Sequence, residues 1–131
     1  MKTIIKISER ATIAIHTIDY MIRNKEDLYV ASEIAKTLDI SYNHLSKILQ
    51  TLARHGYLKT NRGPFGGHTL TEKGKNAKIG EIIELFDGKI PDTKCLMSKK
   101  VCQRKFCAFE NFLEKMLSEY KRLLSLKIKE I

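Results

Sequence analysis

Three cysteines lie close together in the sequence, at Cys95, Cys102 and Cys107, with the spacing C-x6-C-x4-C. An odd number of cysteines cannot all pair within one chain, which favours thiols or metal ligands over a disulfide framework. Five basic residues and no acid surround them between residues 94 and 109, namely Lys94, Lys99, Lys100, Arg104 and Lys105. Positive charge offsets the negative charge of thiolates, which are the usual ligands of iron-sulfur clusters. The pattern therefore predicts a metal site or redox-active thiols.

The charge of the chain favours a nucleic acid as its partner. The 131 residues include 24 Lys and Arg against 15 Asp and Glu, which gives a net charge of +9 at pH 7. Between residues 41 and 78, seven basic residues accompany one acid, Glu72. No uncharged stretch approaches the ~20 residues that span a bilayer, and the N-terminal residues, with Glu9 and Asp19 among them, do not resemble a signal peptide. We therefore expect a cytoplasmic protein with no membrane partner.

The elements that position these groups begin with three helices, which apolar residues at three- and four-residue spacing predict. The first covers residues 7–23, with Ser8 as its N-cap. Ser32 is predicted to cap a short second helix that ends at Asp39, a residue type that tolerates turn conformations. The third begins at Ser41 directly afterwards. Two helices joined by so short a turn are typical of a helix-turn-helix.

A hairpin is predicted after the third helix, which ends at Gly56. Residues 57–60 and 68–71 have the composition of two short strands. The loop between them, Gly63–Gly67, is rich in glycine, which adopts positive φ without strain. The order of helix, turn, helix and hairpin predicts a winged helix.

The C-terminal third is predicted to contain a short helix over residues 79–86, a loop that carries the cysteines, and one long last helix from about Phe109. Apolar residues recur there at helical spacing over more than 20 residues, namely Phe112, Leu113, Met116, Leu117, Tyr120, Leu123, Leu124 and Ile128. A helix of roughly 30 Å exceeds what a winged helix can cover, which favours dimerisation over packing along its own domain. The predicted fold is mostly α (α+β), with a winged helix-turn-helix DNA-binding domain at 1–88, a cysteine loop at 89–107 and a dimerisation helix at 108–131.

The second helix of a helix-turn-helix meets base edges in the major groove with its N-terminal turn. Asparagine can make a bidentate contact with adenine, and serine or tyrosine can reach a base or a phosphate. The residues predicted to contact DNA here are Ser41, Tyr42, Asn43, His44 and Lys47. The alternative is that Ser41 only caps the helix and the others are solvated surface.

The predicted wing offers a second contact with DNA. Its glycines let the backbone approach a phosphate or enter the minor groove, and an arginine lies at its base. The predicted wing contacts are Arg62, Gly63, Gly66 and Gly67, with phosphate contacts from Lys59 and Lys73. The alternative is an ordinary hairpin turn.

Several segments resemble the Rrf-type winged-helix transcription regulators, the family that includes IscR and NsrR. They are Ile5–Ser8, Ile40–Leu52, the wing Arg62–Leu70, Ile79–Ile83, and three cysteines before a long last helix. The likeness covers nearly the whole chain, and Asn43, His44, Leu45 and Lys47 are closer to the NsrR branch than to IscR.

The resemblance implies a homodimer that binds a palindromic operator on double-stranded DNA. It also implies an iron-sulfur cluster, of two or four irons, that controls the affinity for DNA and is held by Cys95, Cys102 and Cys107. The family's branches suggest no single fourth ligand, because IscR-like members carry a histidine where this chain has Glu110, and NsrR-like members carry an acid where it has Thr12. The candidates are Glu110, His16 of this or the partner subunit, Glu9 and an exogenous small ligand.

The leading interpretation is a homodimeric repressor that senses nitric oxide, redox state or iron-sulfur supply through its cluster. In one alternative, the same winged helix senses oxidants through sulfenic acid or disulfide formation, without a cluster. In another, the cysteines hold a structural zinc ion in an interaction module. The sequence contains no phosphate loop, nucleotide fingerprint or nucleophile with a spaced base. Neither an enzyme nor a small-molecule substrate is therefore predicted.

Overall fold

A computed structural model describes residues 5–90, 95, 103 and 105–131, so that Cys102 lies outside the described residues. Within these parts the elements are α1 (Glu9–Asn24), α2 (Ala31–Leu38), α3 (Tyr42–Arg54), β1 (Leu58–Asn61), β2 (Gly67–Leu70), α4 (Glu72–Lys75), α5 (Ile79–Asp87) and α6 (Ala108–Leu124), followed by a 3₁₀ turn at Ile128–Glu130. Strands β1 and β2 pair in an antiparallel hairpin. The order of helix, turn, helix and hairpin confirms the predicted winged helix.

The predicted N-cap of α1 is confirmed, and Ser41, where the third helix is predicted to begin, caps α3. The Ser8 hydroxyl oxygen accepts a hydrogen bond from the Ala11 amide at 3.1 Å, and the Ser41 hydroxyl oxygen accepts one from the His44 amide at 3.0 Å. Each satisfies one of the amides that a helix start leaves without a partner, which contributes about 1 kcal/mol. Asp39 ends α2 in the left-handed conformation at φ 54°, which closes the turn between α2 and α3.

The start of α2 corrects one prediction, because Ser32 is not its N-cap. Val30 holds that position, and its carbonyl oxygen accepts a hydrogen bond from the Ile34 amide at 3.1 Å. The cause lies one residue earlier, where Tyr29 exchanges backbone hydrogen bonds of 2.8 and 2.7 Å with His68 in β2. The helix begins as soon as this extended pairing ends, and Ser32 falls in its first turn.

The hairpin strands lie one residue away from their predicted positions. Tyr57 is excluded from β1 because its amide donates to the Leu52 carbonyl oxygen at 2.9 Å and so closes the end of α3. Thr71 follows β2 as the N-cap of the next helix, where its hydroxyl oxygen accepts from the Gly74 amide at 3.1 Å. That contact caps α4, a short helix that the sequence analysis did not predict.

One hydrophobic core joins α1, α3, α5 and the hairpin. Its largest fully buried side chains include Ile18, Leu45, Ile48, Leu49, Leu52, Ile82 and Ile83. Burial of a side chain of this size contributes about 1.5–3 kcal/mol. Four of the seven come from one face of α3, so that the core fixes which face of this helix remains outside.

The last helix is shorter than predicted, because α6 ends at Leu124 after 17 residues, about 26 Å. The chain then crosses the start of α5, where the Ile79 amide donates to the Leu126 carbonyl oxygen and the Ile128 amide donates to that of Ala77, both at 2.9 Å. Ile128 is thereby buried in the core from a 3₁₀ turn. Among the described residues, no helix is both long and apolar enough to cross a membrane.

Candidate DNA interface and cysteine segment

The N-terminal turn of α3 faces away from the core. Of its predicted DNA contacts, Ser41, Tyr42, Asn43 and Lys47 are exposed and His44 is half-buried. Ser41 also caps the helix, as its alternative interpretation proposed, but the cap uses only the oxygen as an acceptor and leaves the hydroxyl hydrogen available. The structure therefore brings these five predicted residues to one surface, and their contact with DNA stays a prediction.

The wing ends in a tight turn beside Arg62. The Gly66 amide donates to the Gly63 carbonyl oxygen at 2.9 Å, and Gly63 adopts φ 109°. A Cβ atom at Gly67 would lie 2.6 Å from the carbonyl oxygen of Tyr29, so β2 passes that segment too closely for any side chain. Arg62 is exposed and makes no hydrogen bond or ion pair with another described residue, which leaves its guanidinium available for a phosphate or a groove.

The two lysines predicted to contact phosphate differ in their surroundings. Lys59 is exposed on β1. The ammonium group of Lys73 donates to the His55 carbonyl oxygen at 2.8 Å and lies 4.5 Å from the centre of the Tyr57 ring. Lys73 therefore holds the end of α3 against the base of the wing, a positioning role that the sequence analysis missed.

Tyr57 links the base of the wing to α5. Its hydroxyl donates to a carboxylate oxygen of Glu81 at 3.1 Å. Burial, followed by the hydrogen bond and the negative charge of Glu81, raises the pKa of Tyr57 to about 12. The tyrosine consequently remains a neutral donor throughout the physiological range of pH.

His68 joins the wing to the body of the domain. Its backbone pairs with Tyr29, and its ring nitrogen Nδ1 lies 3.2 Å from the Thr60 hydroxyl. Burial lowers the pKa of His68 below its ordinary value. The fold therefore favours the neutral form of this histidine.

The cysteine segment, residues 89–107, includes two cysteines at positions that the structure describes. Cys107 is the N-cap residue of α6, and both Cys95 and Cys107 are exposed. Among the described residues, which include these two cysteines, no three His, Cys, Asp or Glu side chains form a group able to hold a metal ion. Two accessible thiols beside basic residues nevertheless fit an iron-sulfur cluster by donor chemistry.

The three candidate fourth ligands occupy different places. Glu110 lies in the first turn of α6, where its amide donates to the Cys107 carbonyl oxygen at 3.2 Å. His16 is exposed on α1 and lines a shallow groove with Leu38 of α2. Glu9 is exposed in the first turn of α1. Of these three, Glu110 is joined to a described cysteine by a backbone hydrogen bond.

The end of α5, from which the cysteine segment leaves, is tied to the start of α1. A carboxylate oxygen of Asp87 accepts a hydrogen bond from the Ser8 amide at 2.8 Å. The Arg10 guanidinium donates to the Phe86 carbonyl oxygen at 3.3 Å and lies over the Phe86 ring. Because the contact joins residues 79 positions apart, no local pattern could have revealed it.

The apolar stripe of α6 divides between two surroundings. Leu113, Leu117, Tyr120 and Leu124 are buried in the chain's own fold. At the adjoining face, Phe109 and Phe112 are 57% and 60% exposed, and Leu123 is also exposed. The dimerisation helix was therefore predicted from a stripe of which half belongs to the core. The exposed half remains available to a partner.

The family model described as "Rrf2: Iron-dependent Transcriptional regulator" matches residues 7–131. The chain is 31% identical over 100 residues to the HTH-type transcriptional regulator NsrR of Bacillus licheniformis, which covers 75% of this chain and 70% of that protein. It is 29% identical over 72 residues to the regulator IscR of Escherichia coli, which covers 55% of this chain and 44% of that protein. These relatives are transcription regulators and not enzymes. This agrees with the function class predicted for this chain from its sequence.

Among solved structures, the chain is similar to CymR, the global cysteine regulator of Bacillus subtilis. The TM-score is 0.71 at 21% identity, over 95% of this chain and 94% of that one. At this identity the likeness supports the fold alone. It confirms the winged helix followed by a long C-terminal helix.

Proposed function

The chain belongs to the Rrf2 family of transcription regulators, and from that premise we propose that it is a cytoplasmic, homodimeric repressor with an iron-sulfur cluster on Cys95, Cys102 and Cys107. In this proposal the cluster sets the affinity for a palindromic operator. Nitric oxide is the favoured signal, because the sequence of α3, the helix expected to enter the major groove, resembles the NsrR branch. Redox state and iron-sulfur supply are the other candidates.

The DNA-binding part of the proposal rests on one surface. The exposed turn that begins α3 carries the polar groups that recognise base edges, and the wing carries basic groups without an acid between Leu58 and Thr71. The buried face of α3 fixes the angle at which that turn is presented. Arg62 supports the proposal most directly, because it is exposed beside the turn of the wing without a partner in the described fold.

The homodimer part rests on the exposed half of α6. Exposed Phe109, Phe112 and Leu123 and half-buried Met116 follow one another at helical spacing, with Glu119 at the remaining position of the same seam. Burial of two such faces against each other removes several aromatic side chains from water. A two-fold dimer would also place two recognition helices in successive major grooves of a palindrome.

The cofactor part rests on donor chemistry. Cys95 and Cys107 are exposed thiols, and Glu110 is the oxygen donor that the backbone brings beside Cys107. We therefore favour Glu110 over His16 and Glu9 as the fourth ligand. Bound in this way, an iron-sulfur cluster would supply a centre that reacts with nitric oxide or oxidants.

A route for regulation runs through α5. Its end holds the start of α1 through Asp87 and Ser8, and its first turn holds the base of the wing through Glu81 and Tyr57. Helix α1 in turn packs against α3. A change in the cysteine segment that moved the end of α5 would reach both DNA-binding elements, and only such a differential effect on two states can shift the affinity for DNA.

The experiment that tests this function starts from protein purified without oxygen. Absorbance between about 300 and 500 nm, with matching iron and sulfide, is expected, and selection from a random duplex pool should return a palindrome. Colourless, iron-free protein that cannot be reconstituted but still binds the palindrome would rule out the cluster. Thiol oxidation or a zinc site would then be the favoured basis of sensing. Failure to select any sequence would overturn the DNA-binding proposal.

A further inference from the structure

The tip of the wing carries an aromatic side chain that the fold does not use. Phe65 is 92% exposed, the largest value among the exposed large hydrophobic residues described. Neither the core nor the DNA contacts argued above require it. An apolar ring left in water at the end of a hairpin gains free energy when a partner covers it.

A hydrogen-bonded turn holds the ring at the tip. The 2.9 Å hydrogen bond from the Gly66 amide to the Gly63 carbonyl oxygen makes Pro64 and Phe65 its two central residues. Proline fixes its own φ at about −65° and is favoured at the first central position. A Cβ atom at Gly66 would lie only 2.3 Å from the carbonyl oxygen of Asn61, so the backbone folds tightly beneath the tip. The ring is therefore presented on a constrained backbone, which lowers the entropy lost on binding.

The charges around the tip match the minor groove of DNA. Lys59 and Arg62 lie on the approach to the turn, and no acid is present between Leu58 and Thr71. Proteins that enter the minor groove place arginine in its negative potential and insert apolar side chains such as phenylalanine between base steps. Arg62 and Phe65, separated by two residues, provide both groups on one loop.

We propose that Phe65 is a wedge that enters the minor groove beside Arg62 and partly unstacks one base step, which kinks the duplex. This inference rests on the proposed DNA binding and adds a specificity determinant to it. The steps that unstack most easily are TA and CA/TG, so the wing selects DNA by deformability and makes no new contact with base edges. In a homodimer the two wedges act symmetrically on either side of the dyad.

The test uses the palindrome that wild-type protein selects from a random duplex pool. One duplex carries TA at the wing positions, with 2-aminopurine in place of the adenine, and a matched duplex carries a stiff A-tract there. Wild type should prefer the TA duplex by about tenfold, brighten the 2-aminopurine on binding, and bend the duplex. Phe65→Ala should lose all three effects and keep its affinity for the A-tract duplex.

Two further variants separate a wedge from a general loss of apolar surface. Phe65→Leu keeps an apolar side chain of the kind that can wedge, and it should retain most of the preference and the bend. Ile131→Ala removes a side chain that is 63% exposed outside the wing, and it should behave as wild type.

The outcomes that overturn the inference differ from those that overturn the function. If Phe65→Ala keeps the TA preference and the bend, the wedge is wrong and the repressor proposal stands. If Phe65→Ala weakens binding to both duplexes equally, Phe65 supplies affinity without selecting deformable steps, which also contradicts the inference. If the wild type binds neither duplex, the proposed function fails together with the wedge.

Discussion

The winged half of the chain, residues 5–90, and the segment that carries the cysteines and α6 differ in what completes them. The first half is complete within one chain, since hydroxyls cap α1 and α3 and a single core orients the first turn of α3. In the second, Cys95 and Cys107 are exposed, and part of the apolar face of α6 is exposed as well. By our proposal, a cofactor and a second copy of the chain complete that half.

This difference separates the proposed binding of DNA from the proposed sensing of a signal. The proposed contacts with DNA come from elements whose geometry is fixed within one chain. By our proposal, sensing depends on a cofactor that comes from outside the chain, and its effect reaches the DNA-binding surface through α5. Asp87 and Glu81, near opposite ends of that helix, make the two connecting contacts. Substitutions can therefore be chosen to affect one half, the other half, or the connection between them.

The largest expected effect comes from the core of the winged half. Leu52 is fully buried, and Leu52→Ala should lower the free energy of unfolding by about 2–5 kcal/mol through lost burial and the cavity left behind. Phe112→Ala, at an exposed position of α6, should cost less than about 1 kcal/mol in the monomer and weaken the dimer. Urea unfolding at low concentration and sedimentation equilibrium measure the two. Equal destabilisation by both variants, or an unchanged dimer in Phe112→Ala, would contradict the division.

The next effect concerns the wing. Arg62→Ala should weaken binding to the selected palindrome by about 1–3 kcal/mol and leave the dimer intact. Arg23→Ala removes another exposed arginine, one paired with Asp19 on α1, and serves as the control. Fluorescence anisotropy at several salt concentrations provides the affinity and its salt dependence. Unchanged binding by Arg62→Ala would remove the wing from the interface.

A smaller effect is expected at the connection. Asp87→Ala removes the acceptor of the Ser8 amide and a negative charge at the start of α1, which should cost about 1 kcal/mol of stability. It should also reduce the difference in DNA affinity between cluster-loaded and cluster-free protein. Glu84→Ala, an exposed acid on the same helix, should change neither quantity. If both variants respond to the cluster as wild type does, α5 does not carry the signal through this contact.

The smallest effect depends on pH. Burial holds the pKa of His68 below its ordinary value of 6.5 in the fold, so the unfolded chain takes up the proton first. The stability associated with neutral His68 is complete above that value and is lost as pH falls toward the lowered pKa. His68→Asn should therefore flatten the loss of stability between about pH 7 and pH 5. Thermal unfolding measures stability across this range. The same slope of stability against pH in both proteins would show that His68 does not contribute to it.

Local signals explain why so much of the winged half could be predicted from the sequence. Ser8 caps α1 as predicted, Ser41 marks the predicted start of α3, and Asp39 makes the predicted turn. The errors arise where a distant partner decides the outcome. Tyr29 pairs with His68, and this pairing makes Val30, rather than Ser32, the N-cap of α2.

The same limit applies to the candidate site. The sequence predicted Lys73 only as a phosphate contact, because its contacts with His55 and Tyr57 exist only in the folded chain. Half of the apolar stripe of α6 became core, since periodicity alone does not identify what a stripe packs against. A fourth cluster ligand has no local pattern, because it need only be near the cysteines in space.

The most direct test of the central claim compares the DNA affinity of one oxygen-free preparation before and after removal of its iron, with Cys102→Ala as the permanently cluster-free control. We expect that loaded wild type binds the palindrome about tenfold or more tightly than stripped protein, within the usual range of coupling between two sites. We also expect that Cys102→Ala is colourless and folded, and that its affinity for the palindrome equals that of stripped wild type. Equal affinities for loaded and stripped wild type, or a Cys102→Ala variant that still carries the cluster, would contradict the claim.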